Sequence, residues 1–249
     1  MESVKASPDA QLRLLELADV DAELGRLQHR RRGLPEIAEV DRLDAREAEL
    51  RDQIVAAETE VSDLTREQAK AEGDVDQVRS RIERDRKRLD EGQVSSPREL
   101  ENLQSEVGSL RRRKDDLEEV ALAVMERQEE ASARVSSLAG ERNDVSGARE
   151  DAIARRDAAA AEIEEQLGKL DQQRSGIAGQ IPDDLLALYE KLRDQHDPGA
   201  AALRRGRCEG CHLALGTSDL NAIRAAPPDE VLRCEECRRI LVRTPESGL

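Results

Sequence analysis

Apolar residues recur along this chain at alternating steps of three and four. From Leu43 one series runs Leu43, Leu50, Ala57, Leu64, Ala71, Val78, Asp85, and a second runs Glu47, Ile54, Val61, Gln68, Val75, Ile82, Leu89. Eleven of these fourteen positions are apolar in a segment that is otherwise strongly polar. The spacing predicts a left-handed coiled coil with the two series as its core positions. The pattern breaks near residue 92 and then resumes for twelve heptads. One new series is apolar from Leu103 through Leu110, Leu117, Val124, Ala131, Leu138, Val145 and Ala152 to Ala159, and then continues as Gln166, Gln173 and Gln180. Its companion mixes Leu100, Val107, Ala121, Val135, Ile163, Leu170 and Ile177 with Lys114, Gln128, Arg142, Arg149 and Arg156. Long cationic stems can cover apolar surface while their heads reach water. Full burial of those charges would be costly, so a two-helix seam open at its sides is expected rather than a thick bundle.

The break reads Gly92-Gln93-Val94-Ser95-Ser96-Pro97. Glycine suits a helix C-terminus, serine an N-cap and proline the first helical position. Ser96 followed by Glu99 fits a capping box. So short a linker favours antiparallel neighbours. Residues 9–91 and 98–180 are each 83 long, and each would span roughly 125 Å as a helix. With the turn near residue 96, layers should pair Leu89 with Leu103, Ile54 with Leu138 and Val61 with Ala131. Gly33-Leu34-Pro35 should bend or restart the first helix, because an interior proline removes a hydrogen bond and clashes with the preceding turn. Ile181-Pro182-Asp183-Asp184 is a further stop and start. A short amphipathic helix through Leu185, Leu188, Tyr189 and Leu192 follows, closed by His196-Asp197-Pro198-Gly199.

Composition agrees with a thin seam. The chain of 249 residues has one tyrosine and no phenylalanine or tryptophan, and 38% of it is charged. A large single core would hold aromatic rings. The net charge of −15 argues against long-range steering of the whole molecule toward nucleic acid. That charge is uneven: residues 199–249 hold eight arginines against seven acids, so the preceding arm carries the negative excess. The start, Met1-Glu2-Ser3-Val4-Lys5, lacks an apolar run of signal-peptide length, and no stretch has the length of a membrane span. A cytoplasmic location is expected, where thiols stay reduced.

The chemistry lies near the end. Cys208-x-x-Cys211 and Cys234-x-x-Cys237 are separated by 22 residues, a spacing that lets two corners wrap one ion tetrahedrally. Four thiolates suit one structural zinc ion per chain. Iron in the same ligand set, a disulfide or redox pair, and the haem-attachment pattern Cys208-Glu209-Gly210-Cys211-His212 are the competing chemistries. Two CxxC pairs are redundant for redox work, and haem attachment leaves the second pair unexplained. Four thiolates leave no open position for catalytic water, so His212 is expected beside the site and not in it. Gly210 is expected to permit the tight turn of the first knuckle. Leu213 and Leu215, with Val231, Leu232, Ile240, Leu241 and Val242, should form short strands around a helical insert from Asp219 to Ala226. Arg204, Arg205, Arg207, Arg233, Arg238, Arg239 and Arg243 flank the knuckles and are candidate contacts for a partner, including the phosphates of a nucleic acid, with donation to the thiolates and neighbouring acids as the alternative. Arg30-Arg31-Arg32 and Arg111-Arg112-Arg113-Lys114 sit among acids and read as solvated helix faces. The three histidines are scattered, and neither a nucleophile–base pair nor a glycine-rich phosphate loop is present.

The chain resembles the bacterial family with an N-terminal coiled-coil helical hairpin and a C-terminal four-cysteine zinc ribbon. The resemblance rests on Ser96-Pro97-Arg98-Glu99-Leu100 at the hairpin tip, on Cys208-Glu209-Gly210-Cys211-His212, and on Cys234-Glu235-Glu236-Cys237-Arg238-Arg239-Ile240-Leu241. A glycine is common in that family just after the last cysteine, where this chain has Arg238. The resemblance implies a non-enzymatic zinc-binding adaptor or regulator. The expected fold is mainly α: a long kinked antiparallel coiled-coil hairpin over residues 1–181, with its turn near 92–97 and a kink near 33–35. A short helix and a small zinc ribbon with short β-strands follow over 182–249. The expected partner is a protein, with RNA or DNA as the alternative, no membrane, and homo-oligomers left open.

Overall fold

The computed structural model describes residues 4–249; the first three residues, part of the N-terminal stretch read above, lie outside the described residues. Helix α1 spans Pro8–Arg32, α2 Pro35–Asp90, α3 Pro97–Ala178 and α4 Asp183–Arg193. Strands β1 (Ala200–Arg204) and β2 (Arg207–Cys208), helix α5 (Thr217–Ala225), and strands β3 (Leu232–Arg233) and β4 (Ile240–Arg243) complete the chain. Among the described residues no helix is long and apolar enough to cross a membrane.

Local chemistry sets the helix ends. Ser7 Oγ accepts from the Ala10 N–H at 3.3 Å and Pro8 opens α1, which satisfies one of the donors a helix start leaves free. At the other end the Gly33 N–H returns to the carbonyls of His29 and Arg30. Pro35 then begins α2, since it can start a helix but not continue one. Gly92 ends α2 at φ 65°. Its N–H bonds the Leu89 carbonyl, and the Gln93 N–H bonds that of Arg88, the paired bonds of a Schellman ending. Ser96 Oγ accepts from the Glu99 N–H at 3.3 Å, while the Glu99 carboxylate reaches back to the Ser95 N–H at 3.2 Å. The box therefore closes one residue earlier than the sequence pattern suggests.

By contact density the chain forms two units, residues 38–153 and residues 1–37 with 154–249. In the first, α2 and α3 run antiparallel. Val61 and Leu64 share a cluster with Val124 and Ala131, and Val40 and Leu43 share another with Ala152. The polar seam positions are satisfied across or along the helices. Gln128 donates to Thr65 Oγ1 at 2.9 Å, Arg149 bonds Asp44, Arg142 lies 3.7 Å from Glu47, and Lys114 pairs with Glu118 at 3.0 Å. Asp85 is the exception. It is buried in the seam and its Oδ2 has no hydrogen-bond partner.

In the other unit, Val20, Leu24 and Leu27 of α1 pack with Leu34 against Ile163 and Leu167 of α3. A second core joins Leu14 and Leu17 of α1, Leu185, Tyr189 and Leu192 of α4, and Ala200, Ile240 and Val242 of the sheet. The four strands lie in the order β2-β1-β4-β3. The central pair β1–β4 is parallel, Ala200 opposite Ile240 and Leu203 opposite Arg243, and both outer pairings are antiparallel. One face of this sheet therefore buries Ala200, Ile240 and Val242 on the helices. The other, with Ala201, Leu203 and Leu241, packs with Cys208, Cys234 and Ile223 of α5. Between α1 and α4 sits Asp21, fully buried. It accepts from Arg174 Nε at 2.6 Å and from the Tyr189 hydroxyl at 2.6 Å, with Arg193 Nε at 3.3 Å. Burial works against the Arg174 charge, but Asp21 and Glu190 outweigh it and hold the guanidinium protonated. Burial, reinforced by the bond to Asp21, holds the Tyr189 phenol protonated.

Candidate metal centre

The two cysteine corners are built alike. The Cys208 N–H bonds the Leu213 carbonyl, and the Cys234 N–H that of Arg239, at 3.1 and 3.0 Å. The residue after each second cysteine turns back, His212 N–H to the Cys208 carbonyl and Arg238 N–H to that of Cys234, at 2.7 and 2.9 Å. Both residues are left-handed, His212 at φ 59° and Arg238 at φ 64°. The arginine before each first cysteine then caps that turn. Arg207 donates to the His212 carbonyl at 3.1 Å and Arg233 to the Arg238 carbonyl at 3.2 Å.

These turns bring four sulfurs together. The Sγ atoms of Cys208, Cys211, Cys234 and Cys237 all lie within 4.8 Å of one another. Cys208 and Cys237 are 3.8 Å apart, and Cys211 and Cys234 3.9 Å. A tetrahedron with zinc–sulfur bonds of about 2.3 Å has edges of about 3.8 Å, whereas a disulfide needs about 2.05 Å. The donor set thus fits one zinc ion and leaves no room for a bound water among its four ligand positions. His212 is exposed and outside the cluster.

The surroundings stabilise charged sulfur selectively. Burial pushes the Cys208 thiol up to about 12, against the N–H groups of Cys211 and Gly210 that point at it. Burial also raises Cys234, opposed by the N–H groups of Cys237 and Glu236. At Cys237 burial likewise pushes upward, but the N–H and side chain of Arg239 and the neighbouring sulfurs outweigh it and bring the thiol down to about 7. Gly210 serves packing rather than turn geometry. Its φ is not positive, and a Cβ there would sit 2.9 Å from both Ala201 Cβ and Arg239 Cδ.

Residues 17–197 match the CT398-like coiled coil hairpin domain, and residues 207–241 match the C4-type zinc ribbon domain. The chain belongs to the CT398-like coiled-coil hairpin family. It is 36% identical over 240 residues to the Mycobacterium tuberculosis protein Rv2229c, an alignment covering 96% of this chain and 98% of that one. A solved structure from Mycobacterium smegmatis superposes with a TM-score of 0.83 at 35% identity, covering 97% and 100% of the two chains. CT398 from Chlamydia trachomatis shares the fold with a TM-score of 0.71 at 21% identity, over 95% and 98%. The fold is thus a mainly α hairpin carrying a C4 zinc ribbon, with one zinc ion as its cofactor.

The seven arginines around the ribbon have varied roles. Arg207 and Arg233 cap the knuckles as described. Arg239 donates to the carbonyls of Pro198 and Gly210 at 2.8 and 3.3 Å. Arg243 bonds the carbonyls of Ala226, Pro227 and Pro228, at 3.0, 2.6 and 3.0 Å, and so ties the end of α5 to β4. Arg204 pairs with Glu246 at 2.7 Å and Arg238 with Glu235 at 3.7 Å. Arg205 is exposed at the β1–β2 turn, with φ 48°. Sequence reasoning missed these capping roles. Their only trace was the matched placement of an arginine immediately before each knuckle.

Proposed function

We propose that this chain is an adaptor with no reaction of its own. In this reading Cys208, Cys211, Cys234 and Cys237 hold one structural zinc ion in the cytoplasm. The ribbon module of residues 182–249 docks a macromolecular partner, and the hairpin arm of residues 1–181 serves as spacer and second docking surface. The observation that carries the reading is the closed four-sulfur cluster, which can organise a fold but offers no position to a substrate. A protein partner is favoured because six of the seven ribbon arginines already serve carbonyls or carboxylates of this chain. A nucleic-acid partner is the second reading, motivated by the clustering of the same arginines about the knuckles; its binding would fall steeply with salt.

The test is capture from the native cytosol on the zinc-loaded full chain and on Cys234→Ser, each with and without nuclease. A set of proteins retained after nuclease by the first and lost by the second supports the adaptor. Loss of the whole set on nuclease treatment would transfer the reading to nucleic acid, and an identical set on both baits would remove the ribbon from the docking role.

A further inference from the structure

A groove of about 640 Å³ runs between α1, β1 and the first knuckle. Its apolar floor comes from α1, where Leu12, Leu15 and Ala22 line it. Leu12 remains 39% exposed, so neither core of this unit covers it. The rim is acidic: Asp19, Asp197, Glu209 and Glu246 face two guanidiniums, Arg204 and Arg239. Both guanidiniums are already engaged, Arg204 by Glu246 and Arg239 by the carbonyls of Pro198 and Gly210. Asp197 lies 3.8 Å from Arg193. Asp19 and Glu209 are exposed and have no cationic partner among the described residues.

An apolar floor beneath unpaired carboxylates is complementary to one kind of side chain, a cation on an aliphatic stem. Such a stem can lie along Leu12 and Leu15 while its head reaches Asp19 or Glu209. The same carboxylates repel phosphate, and across an interface like charges brought together are strongly disfavoured. We infer that this groove docks a basic segment of a protein partner, in which arginine or lysine alternates with apolar residues. The inference rests on the adaptor reading and names the face of the ribbon unit that is used and the chemistry it selects.

The probe is a short fluorescein-labelled peptide alternating arginine with leucine, read by anisotropy against the zinc-loaded full chain at low salt. Its counterpart alternates glutamate with leucine. The basic peptide is expected to bind and the acidic one not. The pair Asp19→Asn and Glu209→Gln should weaken binding about fivefold or more, the scale of two exposed charge pairs, and Leu12→Ser should weaken it independently. Glu58→Gln with Glu60→Gln on the arm should leave it unchanged. Matched zinc content and circular dichroism keep the groove variants comparable with the parent chain. Absence of binding by the basic peptide, or equal affinity for the groove variants and the parent, overturns the groove assignment. Should the groove fail while nuclease-resistant capture still depends on the ribbon, the adaptor reading stands on another surface. Should capture fail as well, both are lost.

Discussion

Two side chains accept an unfavourable backbone to make the knuckles. His212 and Arg238 both sit in the left-handed region, which costs an L-residue about 1–2 kcal/mol relative to glycine. Each is held there by the return bond to a cysteine carbonyl and by an arginine cap on its own carbonyl. Arg238 is left-handed without a glycine's freedom, and its exposed pairing with Glu235 at 3.7 Å contributes little. Arg238→Gly should therefore stabilise the ribbon by about 1 kcal/mol, seen as slower zinc loss to a chelator and a higher thermal midpoint. Faster loss would show that the arginine's contacts outweigh its strain. The cysteine spacing was legible because metal geometry fixes it locally. The arginine roles were not, because a guanidinium's acceptor exists only in the folded chain: Arg207 and Arg233 cap carbonyls that the knuckle turns present, and Arg239 reaches that of Pro198.

At the scale of elements, two buried acids behave in opposite ways. Asp21 occupies a slot in the apolar stripe Leu17, Val20, Asp21, Leu24 of α1, and only the fold supplies its partners, Arg174, Arg193 and Tyr189. Removing one member of such a buried set leaves uncompensated charge, at a cost of about 3–5 kcal/mol. Asp21→Ala should lower the denaturation midpoint followed through Tyr189 fluorescence by an amount of that order; a change below about 1 kcal/mol would mean that the network is not coupled to stability. Asp85 instead sits in the α2–α3 seam with an oxygen unsatisfied and Arg81 only at 4.0 Å. Asp85→Leu should restore a dry layer and stabilise the hairpin by about 1–3 kcal/mol, measured as a rise in the helical melting temperature. The heptads exposed Asp85 as an irregularity, whereas no local pattern marked Asp21, whose partners come from α3 and α4.

For the molecule as a whole, the ribbon is not an isolated knob. Ala200, Ile240 and Val242 share a core with Leu14 and Leu17 of α1 and with Leu185, Tyr189 and Leu192 of α4. Metal binding supplies much of the stability of so small a sheet. Chelation should therefore raise hydrogen exchange through residues 200–243 and also in α4 and the first turns of α1, while the seam from 40 to 150 stays protected. Exchange confined to the ribbon would mean that the helix-facing strands keep their packing without the ion. Cys234→Ser should likewise unfold the ribbon and leave only the α2–α3 seam intact.

What the sequence determined by itself was everything with a short repeat or a short reach. Heptad spacing set the coiled-coil seam, the short Gly92–Pro97 segment set the antiparallel hairpin and the layer that joins Val61 to Ala131, Gly33-Leu34-Pro35 set where the first helix stops, and two CxxC corners set a tetrahedral zinc site. Each of these follows from backbone geometry within a few residues or from a strict period. Tertiary structure alone decided that β1 and β4 pair in parallel, that the sheet lies on α1 and α4, that Asp21 is buried, and that an acid-rimmed groove opens beside the first knuckle. Those features join segments more than two hundred residues apart, and no local pattern encodes such a contact until burial of apolar surface brings the segments together.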